Sequence, residues 1–167
     1  GNGMPLLYRH DTSGITVDGG TYGQAIFCNV EDSTLTNINI NNGTALNDGV
    51  LIVDSRAITV TGTDLDRSRG IQVVGGHHVQ VTESNVYSST THGITFNGSP
   101  DGMVFSNTVS SCAEHGIALL NQSDRTMAIS NTVRLNANGI RVHESDNATV
   151  ERNVVSRNTG HGIDVET

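Results

Sequence analysis

Four segments in the second half of the chain share one alternation of apolar and variable positions. They are Gly93-Ile94-Thr95-Phe96, Gly116-Ile117-Ala118-Leu119, Gly139-Ile140-Arg141-Val142 and Gly162-Ile163-Asp164-Val165. A period of two is that of a strand with one buried face, not of a helix. The leading glycine recurs upstream as Gly23, Gly49 and Gly70, and the last five intervals are 21, 23, 23, 23 and 23 residues. So short a period leaves room for one solenoid coil per repeat.

Residues 139–162 show what such a coil contains. Ile140 and Val142 point to the core while Arg141 and His143 point out, and residues 144–147 form a polar turn. Val150 marks a second strand, Asn153 a corner and Val155 a third strand, after which the chain returns to the next glycine. Three strands and three turns in about 23 residues describe one coil of a parallel β-helix. The predicted fold is therefore all-β, a right-handed single-stranded parallel β-helix of about seven coils. Its handedness follows the crossover preference of parallel strands.

Stacking the coils predicts columns of like residues. The first reads Gln24, Val50, Ile71, Ile94, Ile117, Ile140, Ile163, and the second Ile26, Ile52, Val73, Phe96, Leu119, Val142, Val165. On the second strand Leu35, Val60, Val81, Phe105, Ile129 and Val150 align, the register at Phe105 and Ile129 being open by one residue; on the third, Ile40, Leu65, Val86, Val109, Val133 and Val155. Branched aliphatic side chains stacked in this way suit parallel pairing over a buried face. Asn85, Asn107, Asn131 and Asn153 form a corner column, read as an inward hydrogen-bonded asparagine ladder. The repeating glycine is read as a positive-φ corner.

Residues 1–12 are expected to be a tail or partial cap, with residues 13–167 as the β-helix domain. Leu6, Leu7 and Tyr8 are the apolar residues available for that cap. A terminal rung bearing Ile163 and Val165 without a cap would template further pairing, so end-to-end self-association is expected.

Composition sharpens this picture in three ways. Hydrophobic residues at 35% and aromatic residues at 4% are low for a globular domain, but fit a narrow aliphatic column. The net charge is −8 and all nine basic residues are arginine, which argues against a nucleic-acid partner. No apolar run approaches the length of a membrane span, so no membrane insertion is expected. Cys28 and Cys112 fall three or four rungs apart, beyond disulfide reach, and are read as free thiols.

Chemistry is sought where functional groups would gather. The residues before the repeating glycines form a row: Tyr22, Asp48, Arg69, His92, His115, Asn138, His161. Outward strand positions run beside it, and at the C-terminal end Arg141, His143, His161, Asp164 and Glu166 cluster on two rungs. The cluster holds a base, an acid and a cation, as proton abstraction beside a uronate carboxyl needs. Solvated side chains on a polar turn and passive saccharide contact are the competing readings. His92 and His115 alone lack a third metal ligand, and Cys112 near His115 has no further nucleophile context, so no metal or cofactor is expected.

The strings at residues 138–145 and 147–155 resemble the parallel β-helix repeats of the pectin-lyase-like superfamily. That superfamily includes pectate lyases, alginate C5-epimerases, phage tailspikes and NosD-type periplasmic proteins, and the resemblance covers nearly the whole chain from about Ser13. The epimerase catalytic strand reads Tyr-Gly-Phe-Asp-Pro-His, and His161-Gly162-Ile163-Asp164-Val165-Glu166 is the nearest match here. The resemblance implies a catalytic role for Asp164; His161 and Glu166 replace the family tyrosine and histidine. Two functional readings stay open. One is an extracellular or periplasmic, carbohydrate-directed β-helix related to polysaccharide lyases and epimerases, with a polysaccharide partner, uronate-containing if the site is active. The other is a non-catalytic structural or interaction module.

Overall fold

The computed structural model describes residues 3–41 and 48–166, and every regular element among them is a β-strand. No helix among them is long and apolar enough to cross a membrane. The strands stack in parallel as a solenoid, with three strands per turn joined by tight corners. First strands include Val50–Val53, Ile71–Val74, Ile94–Asn97, His115–Leu120, Asn138–His143 and Ile163–Glu166. Second and third strands follow within each turn, the third strands forming their own 7-stranded sheet. The first and second strands join in one sheet because Gln24–Thr36 runs unbroken from one stack into the other.

The predicted columns hold from Val50 onward. Ile71, Ile94, Ile117, Ile140 and Ile163 pair in register, as do Val73, Phe96, Leu119, Val142 and Val165. The third-strand column from Ile40 to Val155 is also as expected. In the turn before Val50 the register differs by one residue. Ala25 and Phe27, not Gln24 and Ile26, pair with Val50 and Ile52, and both are fully buried. On the second strand Val104 and Ala128 take the inward places expected for Phe105 and Ile129. For Val104 the step from the preceding inward residue explains it: Val73 to Val81, Phe96 to Val104 and Val142 to Val150 are each eight residues, whereas Leu119 to Ala128 is nine. Phe105, one position further, is turned outward and 37% exposed.

The segment expected as tail or cap is, from Leu6 to Ser13, a strand paired in parallel with Gln24–Thr36. Leu7 enters the core, while Leu6 and Tyr8 face outward and are exposed.

Buried polar side chains carry the corners. Asn107 and Asn131 are 1% exposed, and each Oδ1 or amide meets its neighbour one rung away. Asn85 is not part of this ladder: it is exposed and donates to Asp64 Oδ1, while Ser84 occupies the inward place above Asn107. A second ladder, Cys112–Asn136–Asn158, runs along the next corner. The positive φ expected of the repeating glycine holds in only part of the column. Gly49 and Gly70 have positive φ, but Gly93, Gly116 and Gly139 do not. There the backbone of one rung approaches the valine of the third strand and the next rung's carbonyl too closely for a Cβ.

A polar row on the first-strand face

The first-strand sheet turns one face to the core and the other outward, so period-two alternation sets which side chains can meet a ligand. Along that face Asp48, Arg69, His92, His115, Asn138 and His161 stand on successive rungs, about 4.8 Å apart. Tyr22 is not among them; it lies in the third-strand stack beside Ile40. Thr95 and Ala118, on outward positions, are almost fully covered and form the floor of the face.

The row is tied together by charge and ring contact. Arg69 Nη1 lies 3.2 Å from Asp48 Oδ1. The His92 and His115 rings stack with centroids 5.1 Å apart and planes 25° from parallel. His92 Nε2 faces Glu114 at 3.2 Å, and its Nδ1 accepts the His115 backbone N–H at 3.3 Å. His115 Nδ1 is buried without a hydrogen-bond partner. Gln72, Thr91, Arg69, His92 and Glu114 line an open depression of about 260 Å³ beside the stack.

The C-terminal cluster expected to be catalytic does assemble, but around the cation. Arg141 donates from Nη1 to Asp164 at 3.0 Å and from Nη2 to Glu166 at 2.7 Å. His143 Nδ1 stands 3.5 Å from the same Glu166 carboxylate, and its Nε2 3.9 Å from Glu144. His161 is exposed and joins the row through its backbone N–H, which donates to Asn138 Oδ1. Asp164 is therefore paired with Arg141, their side chains 29% and 26% exposed. Glu114 is the member sequence reasoning missed; it sits in a turn with no strand periodicity to reveal it. Cys112 is excluded as a nucleophile, since burial pushes its thiol up to about 11 and Sγ faces the Ser110 carbonyl.

Burial lowers the pKa of both His92 and His115. For His92, Glu114 opposes that fall and Arg141 adds to it. For His115, His92 and Arg141 add to it while Glu114 and Asp164 oppose it. Because the folded values lie below the ordinary 6.5, the unfolded chain binds protons first as pH falls. The stability associated with these histidines is complete above pH 6.5 and is lost as pH falls through the depressed folded values. Urea midpoints measured from pH 7.5 down to about pH 5 should fall in the wild type, where unperturbed histidines titrate. That fall should be shallower in His92→Gln/His115→Gln; equal slopes would show that the pair does not carry it.

A parallel β-solenoid with a polar outward row is, as a class, a β-helix module. The family model described as periplasmic copper-binding protein (NosD) matches residues 8–167, and the chain belongs to that family. Among solved structures it is similar to PfbA, a surface adhesin of Streptococcus pneumoniae, at 9% identity and a TM-score of 0.48. That match covers 91% of this chain and 70% of the adhesin chain. No curated protein matches the sequence.

Proposed function

We propose that the chain is a non-catalytic recognition module of the periplasm or cell exterior, binding an extended neutral polysaccharide along its first-strand face. The observation that carries this reading is the closure of Arg141 by both Asp164 and Glu166. A lyase or epimerase site needs a free base and an unoccupied cation for the substrate carboxylate, and here each neutralises the other. The row also carries four carboxylates, Asp48, Glu114, Asp164 and Glu166, against two guanidinium groups, Arg69 and Arg141. Such a balance repels a uronate polymer. Hydroxyl groups instead find donors and acceptors in Gln72, Thr91 and Glu114 around the depression, with the His92 ring as its wall. A row of hydrogen-bonding groups at one step per rung suits a ligand that is itself an extended repeat.

The family description names copper, and the residues of this face do not fit it. All histidine, cysteine, aspartate and glutamate residues lie among those described, and no three of their side chains group to hold a metal ion. Both nitrogens of His92 are already engaged. No chemistry of this face is routed through a metal.

Affinity electrophoresis through gels containing neutral glucan, xylan, galactomannan, pectate or alginate tests the proposal. Retardation is expected on at least one neutral polymer and not on the two uronates. Gln72→Ala/Thr91→Ala should weaken it about tenfold, the worth of one or two lost hydrogen bonds. Passage through every neutral gel without retardation removes the polysaccharide. Unsaturated or epimerised product from pectate or alginate removes the non-catalytic assignment.

A further inference from the structure

The second-strand stack has an outward face of its own, separate from the polar row. Val60, Val81, Val104 and Ala128 take its inward places. Thr59, Gln80, Met103 and Met127 therefore face out in one column, and Thr61, Thr82, Phe105 and Ile129 in the next. Over two adjacent rungs this face turns from polar to apolar, where Met103 pairs with Met127 and Phe105 with Ile129. Phe105 and Met127 are 37% and 36% exposed, and Met103 and Ile129 half-buried. Polar rungs bound the patch at both ends: Thr82 donates to Thr61 Oγ1 at 2.9 Å on one side, and Thr149 and Glu151 lie on the other. Four contiguous apolar side chains on a sheet face can be covered by a second sheet, stacked about 10 Å away.

The charges at the corners of this face select its occupant. Asp101 and Arg125 stand two residues before Met103 and Met127. Arg125 donates from Nε to Asp101 Oδ1 at 2.6 Å and from Nη2 to Oδ2 at 2.8 Å. At the opposite corner Glu83 follows Thr82 and Arg152 follows Glu151, one rung outside the patch at either end. Arg152 Nε meets Glu151 at 3.1 Å, and a guanidinium has further N–H donors. A two-fold axis along the strand direction, between the two apolar rungs, sets the rungs of a second copy in reverse order. Met103 then meets Met127 and Phe105 meets Ile129, each twice, as an isologous contact requires. The same operation sets Asp101 opposite Arg125 and Glu83 opposite Arg152, again each twice. A two-fold axis along the solenoid instead leaves Asp101 and Arg125 opposite the serine corners, Ser106 and Ser130.

We propose that the second-strand face is the contact of a weak two-fold dimer, in which two copies of this chain lie side by side with opposed solenoid directions. Four rungs extend about 19 Å, and a strand with its corners is roughly 15–20 Å wide. Each copy thus offers about 300–400 Å², half or less of the roughly 800 Å² per partner of a stable interface. The chain is accordingly monomeric at low micromolar concentration and dimeric towards millimolar. The contact uses no residue of the first-strand face, so it stands whether or not that face binds polysaccharide.

Sedimentation equilibrium of the full chain at low salt, from about 10 μM to about 1 mM, tests the dimer. The mean mass should rise towards twice that of the chain, and the rise should shrink as salt screens the corner charges. Met127→Lys should weaken association at least tenfold. Arg125→Asp should do the same, and Asp101→Arg/Arg125→Asp should restore it by exchanging the charges. Val165→Lys, on the terminal rung, should associate like the parent, which separates this contact from end-to-end stacking. In the unsubstituted chain, amide chemical shifts should change with concentration around residues 80–82, 103–105, 127–129 and 149–151. A constant monomer mass up to about 1 mM, parent-like association of Met127→Lys, failure of the charge exchange to restore it, or shifts confined to the terminal rung would overturn the dimer.

Discussion

Asn131→Ala should destabilise the chain by roughly 3–6 kcal/mol, because its side chain satisfies three buried groups at once, each costly to leave unpaired. Asn131 Oδ1 accepts the Asn107 backbone N–H at 2.9 Å and the Asn107 amide at 3.0 Å. Its own amide donates to the Val104 carbonyl at 2.9 Å and to Asn153 Oδ1 at 3.0 Å. At 1% exposure no water can replace these contacts without opening the corner. Asn85→Ala is the control, because its one described bond lies at the surface and should cost less than about 0.5 kcal/mol. Urea unfolding followed by far-ultraviolet circular dichroism reads both, and similar midpoints for the two variants would show that the ladder does not bear load.

The repeating glycine gives the second large effect, and it differs between identical sequence positions. A Cβ on Gly116 would collide with Val133 Cγ1 and lie 2.7 Å from Asn136 Nδ2, part of the second ladder. Relief requires the third strand to move, so Gly116→Ala should cost about 3 kcal/mol, the upper end of an overpacked core. At Gly162 the nearest atom to a Cβ is Val155 Cγ1 at 3.8 Å, an ordinary contact. Gly162→Ala should therefore change stability by less than about 0.5 kcal/mol. Thermal melts of the two variants decide it; equal losses would mean that backbone freedom, not close approach, selects glycine here.

The contrast between these glycines also shows where sequence reading reached its limit. Spacing located the residue, but the cause assigned to it holds at Gly49 and Gly70 and not at Gly93, Gly116 and Gly139, because φ and rung-to-rung distance leave the same mark in a sequence. The strand columns were legible from Val50 on, since aliphatic residues recur at one interval and a one-residue slip would expose them all. They failed at Gln24 and Ile26, where the interval to the next glycine is 26 residues and both faces of Ala25-Ile26-Phe27 look apolar. The ladder was half legible for a chemical reason: a serine hydroxyl can take the asparagine's place. Ser84 accepts that role above Asn107, and Asn85 beside it served as a decoy. Spacing placed Arg141, His143, Asp164 and Glu166 on adjacent rungs, where their side chains meet. What spacing could not show is that Arg141 would turn toward both carboxylates, because side-chain pairing depends on rotamers, not on register.

Among the described residues, backbone hydrogen bonds join one turn to the next over sequence separations close to the repeat, and the corner ladders do the same. Tension along the solenoid axis loads those bonds lengthwise and in parallel, so a turn resists as a bundle and yields as a bundle. Once its hydrogen bonds part, about 23 residues are freed together, paying out up to roughly 80 Å of slack. Anchored at both ends, the chain would behave as a stiff rod with discrete give, lengthening under load by whole turns.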